Sequence, residues 1–128
     1  MSNPAEGRND SRYSISEYLE DEFRNIYVEI MSNPPVRAVI TDISMNGLGF
    51  VIPEGEKEGR KKVEQADKFF INIHLGGEII LLDTKKTWGT SVKGKEGTVY
   101  QGGVLFTMVS PNDRLTLHKF LENIRKRA

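Results

Sequence analysis

Residues 36–52, VRAVITDISMNGLGFVI, decide the fold of this chain. They contain two runs of β-branched and aliphatic residues, 36–43 and 48–52, and such runs are typical of strands. Asn46 and Gly47 stand between the runs and form a dipeptide that favours tight turns with positive φ. The sequence therefore predicts a β-hairpin here, with Gly47 in the left-handed region of backbone space.

The rest of the chain adds four strand-like segments, in which apolar residues recur at alternate positions. These segments are 26–30, 69–75, 78–88 and 99–109. Gly76 and Gly77 predict a tight turn between two of them. Gly102 and Gly103 interrupt the last segment and predict a bulge or a close backbone approach. Together with the hairpin this makes six strands, the pattern of a small antiparallel barrel.

A C-terminal helix closes the predicted fold. Ser110 is placed as an N-cap and Pro111 as the first helical residue, and apolar residues follow at helical spacing over 111–127. The charged segment 54–68 is predicted to be a solvated connection, with at most a short helix near 61–66. The predicted fold class is therefore mainly all-β, a six-stranded antiparallel barrel with one C-terminal helix.

Residues 1–22 hold few apolar side chains, which predicts a flexible N-terminal arm in front of the barrel domain at 23–128. The chain has 128 residues, 18 basic and 18 acidic side chains, and no cysteine. This composition fits one globular domain and excludes a disulfide scaffold and thiolate metal sites. Zero net charge argues against DNA or RNA partners, and no apolar run is long enough for membrane insertion. We therefore expect a cytoplasmic protein.

The motifs of enzymes and cofactor sites are incomplete in this sequence. Residues 89–95 match a phosphate-binding P-loop as far as its lysine, but Glu96 stands where Ser or Thr is required. Residues 47–49 lack the third glycine of a dinucleotide-binding fingerprint. His74 and His118 have no carboxylate at ligand spacing, which favours packing or surface roles over a metal site. We therefore predict no enzymatic activity, no cofactor and no metal.

Two polar motifs remain. Arg8 and Arg12 are four residues apart, a spacing that puts two guanidinium groups on one face of a helix or a strand. For this composition about 0.5 such pairs arise by chance, so the pair alone fits solvated charges on an arm. Asp42, Ser44 and Gly47 form an (Asp/Asn)-x-Ser-x-x-Gly pattern, for which chance gives about 0.08 matches when either Asp or Asn is allowed first. Alone, this pattern fits a polar turn at a strand end.

In this order the two motifs resemble the signature of PilZ domains. The likeness extends over nearly the whole chain, because PilZ domains also have a polar arm, a six-stranded barrel and a closing helix. A last strand of the Gly-Val-x-Phe type has its counterparts in Gly103, Val104 and Phe106. The resemblance implies a bacterial receptor for cyclic di-GMP. It also implies ligand-binding positions at Arg8, Arg12, Asp42, Ser44 and Gly47.

The chemistry of these residues suits the ligand that the resemblance implies. Arginine forks onto phosphate or guanine and stacks on purines. Asp42 offers an acceptor for guanine N–H groups, Ser44 a short donor, and Gly47 the turn that brings them beside the arm. Asn46 is interpreted as a turn residue, with a polar ligand contact as the alternative. Trp88, the single tryptophan, is interpreted as a core residue, with a contact to the ligand as the alternative.

The sequence thus predicts a second-messenger receptor in which cyclic di-GMP orders the arm against the barrel and so signals to a downstream protein partner. One ligand and an intercalated pair of ligands are both compatible with the motifs. Two other functions stay open. One is a PilZ-like adaptor that acts through a protein partner without the nucleotide. The other is a small barrel that binds single-stranded nucleic acid, which zero net charge disfavours.

Overall fold

The computed structural model describes residues 13–14, 26–32, 34–95 and 97–127. Within these residues the chain forms seven strands and two helices. The strands are β1 (Tyr13–Ser14), β2 (Ile26–Ile30), β3 (Val36–Ile43), β4 (Gly47–Ile52), β5 (Lys68–Leu75), β6 (Ile79–Lys93) and β7 (Thr98–Met108). The helices are α1 (Lys57–Gln65) and α2 (Pro111–Arg127). Neither helix has the length and apolar character needed to cross a membrane.

Strands β2 to β7 close into an antiparallel barrel. Around the ring the order is β3, β2, β5, β6, β7 and β4, and the pairing of β3 with β4 completes the circle. The hairpin predicted around residues 46 and 47 is present as β3 and β4. The predicted fold class, a six-stranded antiparallel barrel with a C-terminal helix, is confirmed. Closure leaves no long unpaired edge in the ring, which is how small barrels avoid strand-to-strand aggregation.

The short strand β1 lies in the segment predicted to be a flexible arm. Its two residues pair with the end of β3, Tyr13 with Ile43 and Ser14 with Asp42. The same two β3 residues also pair with β4 on their other side, so β1 occupies the edge of β3 that β2 has already left. The two described residues of the arm therefore pair with β3 at the Asp-x-Ser-x-x-Gly motif.

The core of the barrel is formed by the side chains that point inward at every second position of the strands. In β5, Ile71 and Ile73 are buried while their neighbours are not. Burial of such a side chain stabilises the fold by about 1.5–3 kcal/mol. Helix α2 closes the core with an apolar stripe at helical spacing, formed by Leu117, Leu121 and Ile124. As predicted, Ser110 caps this helix, because its hydroxyl accepts a hydrogen bond of 3.2 Å from the backbone N–H of Asp113.

The connection between β4 and β5 corrects one prediction. The segment 54–68 is not merely a solvated connection, because α1 packs against the barrel through Gly59 and Val63. A side chain at position 59 would overlap Val36, so this contact requires glycine. The Lys86 ammonium group donates to the Val63 carbonyl at 3.1 Å and so contacts the C-terminal turn of α1. A single buried valine among charged residues gives no apolar periodicity, which is why sequence patterning missed this packing.

Strand β6 is longer than predicted. It continues past Trp88 to Lys93, and the turn to β7 is closed by a 2.6 Å hydrogen bond from the Gly94 N–H to the Gly97 carbonyl. Residues 89–93, which follow the predicted strand segment 78–88, are therefore strand as well. Gly89 fits there because a side chain would overlap the hydroxyl of Tyr100 on β7. The P-loop-like sequence thus lies in a β-hairpin and not ahead of a helix.

Candidate ligand-binding site

The β3–β4 turn is fastened by Ser44. Its backbone N–H donates to the Gly47 carbonyl at 2.9 Å, and its hydroxyl donates to the same oxygen at 3.4 Å. The hydroxyl also accepts a 3.1 Å hydrogen bond from the N–H of Asn46. Because Ser44 is fully buried and its hydroxyl is used twice, this side chain holds the turn in a fixed shape.

Gly47 is required for a different reason than the one predicted. Among the described residues, positive φ occurs only at Gly55 and Gly76, so the expected left-handed conformation of Gly47 is wrong. A Cβ atom at Gly47 would instead overlap the carbonyl oxygen of Val104 on β7. The exposed Asn46 also joins the turn to β7, because its carbonyl accepts a 2.8 Å hydrogen bond from the Phe106 N–H. Glycine therefore lets the turn lie directly against β7.

A β-bulge precedes Asp42. Ile40 pairs with Phe50 and Asp42 with Gly49, which leaves Thr41 as the extra residue in β3. The Thr41 hydroxyl lies 3.3 Å from Oδ2 of Asp42. A Cβ atom at Gly49 would lie only 2.7 Å from the same Oδ2, so the carboxylate rests on a position that only glycine leaves open.

A second bulge precedes Trp88. Lys86 pairs with Val104 and Trp88 with Gly103, which leaves Thr87 as the extra residue in β6. The Thr87 hydroxyl donates to the Gly103 carbonyl at 3.2 Å. The indole lies over Gly103, where a Cβ atom would overlap its Nε1. Trp88 is 51% exposed on the outer face, so its interpretation as a core residue is wrong.

Asp42, Trp88 and the two glycines beneath them form one row across four neighbouring strands. Asp42 pairs with Gly49, Gly49 with Gly103, and Gly103 with Trp88. We call Gly49 and Gly103 the glycine pair. Directly paired residues of antiparallel strands have Cβ positions about 5 Å apart, so the carboxylate over one glycine and the indole over the other lie side by side. The site thus combines a hydrogen-bond acceptor with an exposed aromatic surface.

Strand β1 extends this row by one residue, because Ser14 pairs with Asp42 on the side away from Gly49. Arg12 immediately precedes β1 in the chain, and Arg8 lies four residues earlier. Both arginines are outside the described residues. Of the predicted site residues, the structure therefore brings Asp42 and Trp88 together around the glycine pair.

Comparison with known proteins bears on this fold. No protein-family model and no curated protein matches the chain. Among solved structures it is similar to the PilZ domain of YcgR from Escherichia coli, solved with cyclic di-GMP, with a TM-score of 0.67 and 20% identity over 94% of this chain and 92% of that one. The chain has the PilZ fold. The resemblance predicted from the two motifs is thus confirmed for the fold.

Two longer proteins share the PilZ fold with this chain. PlzA of Borreliella burgdorferi, solved in complex with cyclic di-GMP, matches with a TM-score of 0.59 and 15% identity over 96% of this chain and 54% of that one. MrkH of K. pneumonia, a cyclic di-GMP-dependent transcription regulatory factor, matches with a TM-score of 0.66 and 16% identity over 94% and 52%. The chain therefore spans about half of each of these two proteins.

Sequence reasoning missed three residues that shape this site and gave only a coarse prediction for a fourth. The missed residues are the bulged threonines Thr41 and Thr87, and Gly49, which lies beneath the Asp42 carboxylate. Gly103, which lies beneath the Trp88 indole, was predicted only as part of a bulge or a close backbone approach. The signal was present in part. Two glycines within a strand pattern indicate a close approach by another chain segment, and here side chains make that approach.

Proposed function

We propose that this protein is a receptor for cyclic di-GMP without catalytic activity. The observation that carries the proposal is the cross-strand row, in which Asp42 and Trp88 meet over the glycine pair directly beside β1. Cyclic di-GMP has two guanines and two phosphates, so its site needs an aromatic surface, an acceptor and cations. The likeness to the YcgR domain and to PlzA, both solved with this nucleotide, supports the same ligand.

We assign guanine recognition to Trp88 and Asp42. One guanine stacks on the exposed indole, an interaction that contributes about 1–3 kcal/mol per base. The Asp42 carboxylate accepts hydrogen bonds from the N1 and N2 hydrogens of a guanine, groups that adenine lacks in this arrangement. Stacking alone tolerates every base, so selectivity for guanine rests on the carboxylate.

We assign the binding of the two ligand phosphates to Arg8 and Arg12. A carboxylate beside a phosphate is repulsive, so cations must come from elsewhere, and the arm carries a suitably spaced pair. Arg12 directly precedes Tyr13, the first residue of β1. The second residue of β1, Ser14, pairs with Asp42. This connection favours the delivery of Arg12 to the site. A bidentate guanidinium also distinguishes phosphate geometry better than an ammonium group.

We assign Ser44, Gly47 and Asn46 to the turn that supports the site. The Ser44 hydroxyl is buried and bonded within the turn, and Gly47 lets the turn meet β7. We assign signalling to the ordering of the arm when the ligand binds. Each arm residue that becomes ordered costs about 1–2 kcal/mol of backbone entropy, which the ligand contacts offset, and the ordered arm presents a new surface to a downstream protein partner.

Calorimetric titration of cyclic di-GMP tests this proposal. We expect saturable binding by the wild-type protein, no binding of GTP or cyclic di-AMP at the same concentrations, and loss of binding in Arg8→Ala/Arg12→Ala. Arg114→Ala, which removes an exposed arginine of α2, is the matched control and keeps wild-type affinity. Absence of binding in both calorimetry and equilibrium dialysis would refute the receptor and leave the adaptor function. A stoichiometry of two ligands per protomer would favour the intercalated pair over a single ligand.

A further inference from the structure

The outer face of β2, β5 and the first half of β6 carries large apolar side chains in water. Phe70 is 55% exposed, Ile79 62% and Leu81 58%, and Met31 joins them at the end of β2. They are neighbours, because Leu81 pairs with Asn72, two residues from Phe70, and the Met31 N–H bonds to the Phe70 carbonyl. We call Met31, Phe70, Ile79 and Leu81 the apolar wall. Contiguous exposed apolar surface of this kind marks interaction sites in soluble proteins.

A cavity lies at one end of the apolar wall. It has a volume of about 230 Å³, and its lining includes Tyr27, His74, Glu78 and Ile79. The rings of Tyr27 and His74 are stacked, with centroids 4.2 Å apart and planes 10° apart. The guanidinium of Arg37 lies 3.7 Å from the centre of the Tyr27 ring. Packing on both faces of Tyr27 makes this end of the wall preorganised.

One polar atom in the cavity region is left unsatisfied. Nε2 of His74 is buried and makes no hydrogen bond within the described part of the chain, and Oε1 of Glu29 is 3.7 Å away. Buried polar atoms without partners are rare in native proteins and usually have a functional or solvent explanation.

The size of the wall favours a short segment over a second copy of the chain. Three strands and about five residues along each cover about 14 Å by 17 Å, or roughly 240 Å². A stable protein dimer buries roughly 800 Å² on each partner. The wall is therefore too small to hold two copies of this chain together, and it suits one peptide segment with a single anchoring side chain.

The charges around the wall select a basic segment. Among the described residues, Glu29 and Glu78 flank the cavity end, and the one guanidinium beside them, that of Arg37 on the Tyr27 ring, pairs across the strands with Glu29 and so leaves one carboxylate in excess. The nearest lysines, Lys68 and Lys85, pair with each other at the opposite end of the wall. A cation next to the anchoring side chain therefore meets a net negative charge at the cavity end.

We propose that the apolar wall docks a short segment of another protein, which places an apolar side chain in the cavity and a Lys or Arg beside Glu29 and Glu78. This inference goes beyond the receptor function and does not depend on it, because the wall shares no residue with the nucleotide site. The two regions lie on opposite sides of the ring, centred on β2 and β5 in one case and on β4 and β7 in the other.

A displayed library of random dodecapeptides tests the proposal. The library is selected on the immobilised wild-type protein, and recovered peptides are synthesised and measured by fluorescence anisotropy. We expect peptides with a large apolar residue next to Lys or Arg. Ile79→Ser/Leu81→Ser weakens their binding about tenfold or more, and Glu78→Lys weakens it by a similar factor. Leu115→Ser, which removes an exposed leucine of α2, leaves binding unchanged.

Several outcomes would overturn the inference. They are recovery of no peptide, enrichment of acidic peptides, and equal binding to wild type and to Ile79→Ser/Leu81→Ser. Self-association in analytical ultracentrifugation that is abolished in this double variant would assign the wall to a second copy instead. All substituted side chains are exposed, so circular dichroism melting should give wild-type curves and exclude misfolding as the cause of lost binding.

Discussion

The two outer faces of the barrel are built in opposite ways. Around the glycine pair, β3 and β6 each contain a bulge, and the surface between Asp42 and Trp88 consists of glycines. On the apolar wall, β2, β5 and β6 pair without any shift in register, and the surface consists of large side chains. The first region is shaped by its backbone, whereas the second is shaped by its side chains.

The bulges explain why the first region can collect functional groups. In regular pairing, side chains stand roughly perpendicular to the sheet, as they do on the wall. An extra residue bends the strand and redirects the side chain that follows it. Here the extra residue is a threonine each time, and Asp42 and Trp88 are the residues that follow. Their side chains lie over the glycine pair because glycine leaves that space empty.

The largest effect that separates the two regions concerns stability. Gly47→Ala places a methyl group on the Val104 carbonyl, a backbone group that cannot move aside, and we expect a loss of about 3 kcal/mol in the free energy of unfolding. Gly77→Ala at the end of the wall meets no atom within 4 Å and should change it by less than about 0.5 kcal/mol. Urea denaturation measures both variants. Equal midpoints would contradict the backbone contact inferred for Gly47.

The second effect concerns nucleotide affinity. Trp88→Ala removes the proposed stacking surface, which corresponds to about 2 kcal/mol, or roughly thirtyfold weaker binding of cyclic di-GMP. Trp88→Phe keeps a smaller ring and should restore most of the affinity. Because the side chain is half-exposed, neither substitution should lower the melting temperature strongly. Wild-type affinity of Trp88→Ala in calorimetry would remove Trp88 from the site.

The regular parts of the molecule were predictable from the sequence, whereas the bulges were not. Alternation of buried and exposed residues, as at Ile71 and Ile73, marks a strand whatever its partner is. A bulge depends on how two strands are aligned, and a single threonine before Asp42 leaves no mark in either strand's pattern. The motif thus predicted Asp42 as a site residue, but the neighbourhood of Asp42 and Trp88 follows only from strand pairing.

The predictions for Gly47 and Trp88 failed for a related physical reason. An Asn-Gly pair favours positive φ in isolation, but here contact with Val104 on β7 decides why glycine is needed. A lone tryptophan usually packs in a core, but the core of this small barrel is already filled by aliphatic side chains, Phe50 and Tyr100. Both outcomes depend on contacts with residues distant in the sequence.

A smaller effect tests the glycine pair itself. Gly103→Ala would overlap Nε1 of the indole, and since a side chain can swing away, we expect only about 1 kcal/mol lower stability. The displaced indole should weaken cyclic di-GMP binding about tenfold. As Trp88 is the only tryptophan, its fluorescence emission reports the displacement directly. Gly97→Ala, where a Cβ atom makes only ordinary contacts, is the control and should show neither change.

The smallest expected effect concerns the wall. Phe70→Ser removes an exposed ring from the regular face, so the free energy of unfolding should change by less than about 0.5 kcal/mol and the cyclic di-GMP affinity should not change. Calorimetric titration and urea denaturation of this variant measure the two quantities. Strand β6 belongs to both regions, with Leu81 on the wall and Trp88 at the glycine pair, and its pairing with β7 shifts register twice between them, the second time at the Thr87 bulge. If Phe70→Ser weakened nucleotide binding, a change on the wall would be transmitted along β6 past that bulge. The two faces would then be energetically coupled, and a segment docked on the wall would alter nucleotide affinity by the same factor that the nucleotide alters docking.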